Sequence, residues 1–154
     1  MFRHTDPEVL VVGAGPVGLV AALFLHLNGV RLEIIDMDQH TTQQSYALAI
    51  HPRTLRVLDE AGLTKKLIAA GRKLTKVAYY EGRERRAEID YSVLASRHPY
   101  LLVVRQSVLE SALADALRAE KHKVLWGHRL QSLYADGKIL QAEVAKLDHE
   151  AAGY

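Results

Sequence analysis

The apolar positions of this chain switch between a strand pattern and a helix pattern several times. Glu8-Val9-Leu10-Val11-Val12 is a short β-branched run that stops at a glycine, the mark of a buried strand. An apolar helix is predicted from there to about Asn28, with Gly29 placed as the left-handed residue that ends it. Val30 to Asp36 reads as a second buried strand, so the first 36 residues predict a βαβ unit. Met37 to Tyr46 is polar and aperiodic, and a loop is expected there.

Pro52 stands where a helix would begin, because its missing N–H costs nothing in a first turn. Leu55, Leu58 and Leu63 mark the apolar face of that helix, and Gly62 is its expected stop. Leu74 to Glu81 and Arg85 to Tyr91 alternate as a hairpin around Gly82, and Leu101 to Val104 is a further strand. Ser107 is predicted to cap a helix in which Leu109, Leu113 and Leu117 recur every four residues. Lys123 to Gly127 reads as a short buried strand. Leu130 to Tyr134 and Ile139 to Leu147 read as antiparallel strands joined at Asp136-Gly137.

Composition narrows the classes. With 154 residues, 49% hydrophobic and 25% charged, the chain suits one globular core, and a single domain over 1–154 is expected. No apolar run reaches membrane-spanning length, and Met1 to Pro7 lacks the apolar core of a signal peptide. The absence of cysteine excludes disulfides, thiolate catalysis and cysteine metal sites, and fits a cytoplasmic location. None of the eight histidines pairs at helical spacing with another on a predicted helix, so no metal site is expected. Residues 1–50 carry two basic and five acidic side chains, whereas residues 51–130 carry sixteen and nine. The basic middle is interleaved with acids and has no aromatic alternation, so nucleic-acid binding is not expected.

The chemistry concentrates in Gly13-Ala14-Gly15-Pro16-Val17-Gly18, a GxGxxG that follows a strand and opens a helix. Gly13 permits the tight turn, Gly15 lets a pyrophosphate approach the backbone, and Gly18 lets helix and strand lie close. The N–H groups of the helix's first turn would hold the phosphate charge. Asp36 closes the second strand, where its carboxylate would accept from the adenosine ribose hydroxyls and repel a 2′-phosphate. That favours FAD or NAD over NADP.

The string from Gly13 to Leu19, extended by Ala22, Gly29 and Asp36, resembles the FAD fingerprint of the flavoprotein aromatic hydroxylases. These are the single-component FAD-dependent monooxygenases of the p-hydroxybenzoate hydroxylase and phenol hydroxylase type. His51-Pro52-Arg53-Thr54-Leu55-Arg56-Val57-Leu58-Asp59-Glu60-Ala61-Gly62-Leu63 and Arg105-Gln106-Ser107-Val108-Leu109-Glu110-Ser111-Ala112-Leu113 are similar to two later segments of that family. The resemblance implies an α/β, Rossmann-like FAD/NAD(P)-binding fold, with a partial substrate-domain sheet inserted at about residues 72–104 and a β-meander after it. It implies that Gly13, Gly15, Pro16, Val17 and Gly18 line the pyrophosphate and that Asp36 holds the ribose. Gln106 would meet the ribityl chain or phosphate with Arg105 close by, and the backbone at Leu130 would face adenine. Met37 follows the acid where the family often has arginine, and Tyr46 takes the place of another family arginine near the flavin and NAD(P)H.

The resemblance also implies that family segments beyond Tyr154 are missing, among them a later strand that flanks the first strand and the segment that binds the ribityl chain. The expectation is an N-terminal fragment, with no catalytic residue of its own and inactive alone. It would be completed by a C-terminal polypeptide or would associate with itself through the open sheet edge. NADH or NADPH would be co-substrate of the complete enzyme. Two other classes stay open: a NAD-binding oxidoreductase domain, and a non-catalytic nucleotide-binding module. A flavin spectrum separates the first of these from the monooxygenase reading, and turnover with a phenolic substrate separates the second.

Overall fold

The computed structural model describes residues 6–41, 46–137 and 139–147. In chain order the elements are β1 (Val9–Val12), α1 (Pro16–Leu27), β2 (Leu32–Asp36), β3 (Ala47–Ile50), α2 (Pro52–Glu60), α3 (Thr64–Ala70), β4 (Arg72–Leu74), β5 (Lys76–Glu81) and β6 (Glu84–Asp90). A 3₁₀ turn at Tyr91–Val93 leads to β7 (Leu101–Arg105), α4 (Gln106–Ala119), β8 (Val124–Trp126), β9 (His128–Asp136) and β10 (Ile139–Lys146). The chain divides into two compact units, one of residues 1–42 with 113–154, the other of residues 43–112.

The first unit holds a parallel sheet in the order β1-β2-β8. Val11 lies opposite Ile34, and Ile34 opposite Val124. Both β2 isoleucines are buried, and α1 buries Leu19, Ala22 and Leu23. The helix ends as its glycine predicts: Gly29 has φ +76°, its N–H donates to the His26 carbonyl, and the Val30 N–H reaches Leu25. β9 and β10 form an antiparallel ribbon with a bulge between Glu143 and Val144, turning at Gly137. The ribbon leaves Leu133, Tyr134, Ile139 and Leu140 exposed.

In the second unit, β7 is the centre of an antiparallel sheet ordered β3-β7-β4. Leu101, Leu102 and Val104 of β7 are buried, as are Leu55 and Leu58 of α2 and Leu67 of α3. β5 and β6 form the expected hairpin around Gly82, which has φ +61°. Its Tyr79 and Tyr80 are exposed.

Two local expectations are corrected, and one strand is added to them. The segment after the aperiodic stretch is the strand β3, whose four residues are too few to display alternation and are defined by pairing with β7. Residues 42–45 of that stretch lie outside the described residues. Leu74 belongs to β4, which pairs with β7, and the hairpin strand starts only at Lys76. Ser107 is not a cap: α4 begins at Gln106, whose N–H donates to the Tyr46 carbonyl at 2.8 Å. A backbone acceptor there satisfies an N–H that a capping side chain would otherwise take.

Candidate functional site: a glycine loop at the carboxyl ends of three parallel strands

β1, β2 and β8 run in the same direction, so Val12, Asp36 and Trp126 end at one rim of the sheet. In open parallel sheets, ligands bind at that rim. The loop between β1 and α1 is built by its glycines. Gly13 has φ +101°, which an L side chain resists, and its N–H donates to the Ile35 carbonyl at 2.9 Å. A Cβ on Gly18 would stand 1.9 Å from the Gly13 carbonyl oxygen, so only glycine allows α1 to lie this close to the loop. Gly15 is the opposite case. Its backbone is extended at φ −71°, ψ −179°, and a Cβ there would meet nothing within 4 Å. Neither sterics nor strain inside the chain demands glycine at this position.

The helical ladder of α1 starts with Leu19 N–H on the Gly15 carbonyl at 3.0 Å, which leaves Val17 and Gly18 in the orphan first turn. No acidic side chain occupies that turn, and Pro16 at its first position has no N–H to satisfy. The first turn of α1 therefore carries no acid of its own at the positive end of the helix.

Asp36 ties the loop together. One carboxylate oxygen accepts from Ala14 N–H at 2.5 Å and the other from Asp38 N–H at 2.8 Å. A carboxylate has about four acceptor sites, so about two remain for hydroxyl groups. The acid thus braces the glycine loop as well as facing the rim, a role that spacing alone does not reveal. The Asp38 carbonyl accepts from Gly127 N–H at 2.8 Å, linking this rim to the β8–β9 turn. Met37 stands exposed beside Asp36, and Leu130 is half-buried on β9, opposite Val144. These residues all belong to the first unit. Arg105 and Gln106 belong to the second, where Arg105 pairs with Ala47 and the Gln106 amide donates to the buried Glu110 carboxylate at 2.7 Å. Among the described residues, the second Gln106 N–H and its carbonyl oxygen make no further hydrogen bond. Tyr46 is exposed beside this pair.

Two clusters escaped sequence reasoning because their members are far apart in the chain. His26 Nδ1 meets His122 Nε2 at 2.8 Å, and His26 Nε2 lies 3.3 Å from Glu120. Burial, and then the neighbouring His26, hold the His122 imidazole below the usual histidine pKa. A histidine depressed in the folded state binds fewer protons than its unfolded counterpart, so its stability contribution is complete above about pH 6.5 and is lost as pH falls toward the folded value. Urea midpoints are expected to fall as pH drops below about 6.5, and His122→Asn is expected to flatten that fall. An unchanged slope in the variant would contradict the assignment. No group of three or more potential ligands that could hold a metal occurs among the described residues.

In the second unit, Asp59 accepts from the Thr64 hydroxyl at 2.5 Å and from Arg97 at 2.6 Å, with His98 Nε2 3.5 Å away. The Thr64 hydrogen bond, aided by Arg97 and His98, holds the Asp59 carboxyl below its ordinary value. His98 in turn meets the Tyr100 hydroxyl at 3.1 Å. This network fastens the segment before β7 to α2.

The chain that carries this rim, glycine loop and acid is similar to known proteins along most of its length. The profile of the FAD binding domain family matches residues 6–152. The 6-methylpretetramide 4-monooxygenase of Streptomyces rimosus is 34% identical over 142 residues, covering 91% of this chain and 26% of that protein. Pentachlorophenol 4-monooxygenase of Sphingobium chlorophenolicum is 30% identical over 148 residues, with coverages of 95% and 28%. The p-nitrophenol 4-monooxygenase PnpA from Pseudomonas putida DLL-E4 has the same fold at a TM-score of 0.81 and 28% identity, over 89% of this chain and 36% of that one. The chain thus spans roughly a quarter to a third of the length of these relatives. Because the match runs through nearly every described element, this chain belongs to the FAD binding domain family.

Proposed function

We propose that this chain supplies the adenine-dinucleotide half of the FAD site of a flavin-dependent monooxygenase acting on an aromatic or polyketide-like substrate with NAD(P)H and oxygen. The observation that carries the reading is the contrast within the loop. Gly18 is required by the fold, whereas Gly15 is required by nothing inside the chain and opens onto the space a pyrophosphate would fill. Gly13, Gly15, Pro16, Val17 and Gly18 are the proposed pyrophosphate cradle. Asp36 takes the ribose with its remaining acceptor sites, Met37 flanks it, and the Leu130 backbone faces adenine. Gln106 is proposed to meet the ribityl chain or phosphate of FAD, with Arg105 close by. When bound, FAD supplies the redox chemistry, and this chain's residues bind and orient its ADP portion. The relatives' names motivate the substrate class. Titration of the chain with FAD, followed by flavin fluorescence, tests the reading: saturable binding supports it, and its absence from folded protein removes it.

β1 has one partner, β2, among the described residues, and Val12 at its end is 54% exposed. An unpaired strand edge is a template for pairing with a further strand. We propose that this edge takes a further strand, from a complementing C-terminal polypeptide or from a second copy of the chain. Amides in residues 9–12 that do not bond β2 are expected to exchange rapidly in the isolated monomer. Strong protection of all of them in a monomer would overturn the proposal. No helix among the described residues is long and apolar enough to cross a membrane.

A further inference from the structure

The charges on α2 run against its dipole. Arg53 and Arg56 occupy its first half, and Asp59 and Glu60 its last turn, although a helix favours acids at its start and bases at its end. For Asp59 the structure supplies the reason, since Thr64, Arg97 and His98 all engage its carboxylate. That engagement takes away the acid three residues beyond Arg56, the spacing at which an ion pair would form. No ion pair or hydrogen bond is formed by the side chains of Arg53 or Arg56 among the described residues.

Both arginines line one cleft of about 430 Å³, together with Pro52, Leu94, Ala95 and Ser96. Its lining includes two arginines and no acidic residue. The Ser96 oxygen already accepts from the His98 N–H at 3.2 Å, which leaves its own O–H to donate elsewhere. Pro52, Leu94 and Ala95 add apolar walls. The wall segment is held to α2 through Arg97 and His98, so the cleft is preformed. Local charge preference is broken here without an internal compensation, as expected where the compensating charge comes from a ligand.

We infer that this cleft binds an organic phosphate monoester, with the Arg53 and Arg56 guanidinium forks and the Ser96 hydroxyl on the phosphate oxygens and the ester group against Pro52, Leu94 and Ala95. Guanidinium forks match phosphate geometry in a bidentate manner, and a paired set favours a dianion over a carboxylate. The same chemistry is offered by a free phosphate ester or by the 2′-phosphate of a nucleotide. This site lies wholly in the second unit.

Phenyl phosphate, inorganic phosphate, ADP and 2′,5′-ADP, each titrated into the full chain, test the inference through the backbone amide spectrum. Saturable shifts confined to α2 and residues 94–96 are expected with phenyl phosphate, and weaker ones with inorganic phosphate. Arg53→Ala/Arg56→Ala is expected to weaken phenyl phosphate at least tenfold, and Arg53→Lys/Arg56→Lys by less. The exposed pair Arg83→Ala/Arg129→Ala removes the same charge outside the cleft and is expected to leave binding intact. A preference for 2′,5′-ADP over ADP at these amides would assign the phosphate to a nucleotide; equal responses would assign it to another ester. No saturable shift in the cleft overturns the inference, as does an equal loss in the control pair. The amide spectrum reports folding of every variant. FAD binding is read separately by fluorescence, so failure of one site leaves the other standing.

Discussion

Gly15→Val is expected to abolish measurable FAD binding while the apo-protein keeps its wild-type stability. The position has ordinary extended dihedrals and no neighbour within 4 Å of a Cβ, so valine adds neither strain nor a clash inside the chain. The added side chain would instead occupy the space over the loop, where a pyrophosphate must approach the first-turn N–H groups of α1. A displaced pyrophosphate should weaken binding by at least about 100-fold, equivalent to about 2.7 kcal/mol. Fluorescence titration of wild type and variant measures the first effect, and urea unfolding without flavin measures the second. Loss of stability matching the loss of binding would mean that Gly15 is a folding residue and that the cradle is misassigned. Retained FAD affinity would place the dinucleotide elsewhere.

Gly18→Ala should behave in the reverse way and damage the apo-protein itself. Its Cβ would stand 1.9 Å from the Gly13 carbonyl oxygen and 3.0 Å from the carbonyl carbon, both backbone atoms that cannot rotate away. Relief requires α1 to move off the loop, which disturbs Leu19 at the start of the helix and the Gly13 N–H bond to Ile35. Overpacking of this kind costs about 3 kcal/mol. For a chain of this size that lowers the melting temperature by roughly 6–12 °C. Calorimetry without FAD checks it, and a melting temperature within about 2 °C of wild type would show that the loop yields more easily than its geometry indicates. Together the two variants separate the glycine that serves the ligand from the glycine that serves the fold.

Much of the first unit was legible in order of residues. The β-branched run at Val9–Val12, the glycine spacing, the helix stop at Gly29 and the acid at Asp36 are local signals, and each reflects a local physical requirement. A positive φ, a missing N–H or a strand-ending carboxylate can be read within a few residues. β3 and α3 were not legible, because segments of four and seven residues carry too few positions to establish a period. The His26–His122 contact and the Asp59 network span separations of 96 and up to 41 residues, and no spacing rule reaches that far.

The sequence by itself determined the βαβ start and the glycine loop inside it. These follow from periodicity and from steric limits on single residues. Tertiary structure decided which glycine the fold needs, since that depends on how close Gly13 and Gly18 come. It also decided that Asp36 braces the loop through Ala14 and Asp38, and that Arg53 and Arg56 face a cleft without an acid. Distances between groups remote in the chain are set by packing, and charge compensation is settled only once those distances exist.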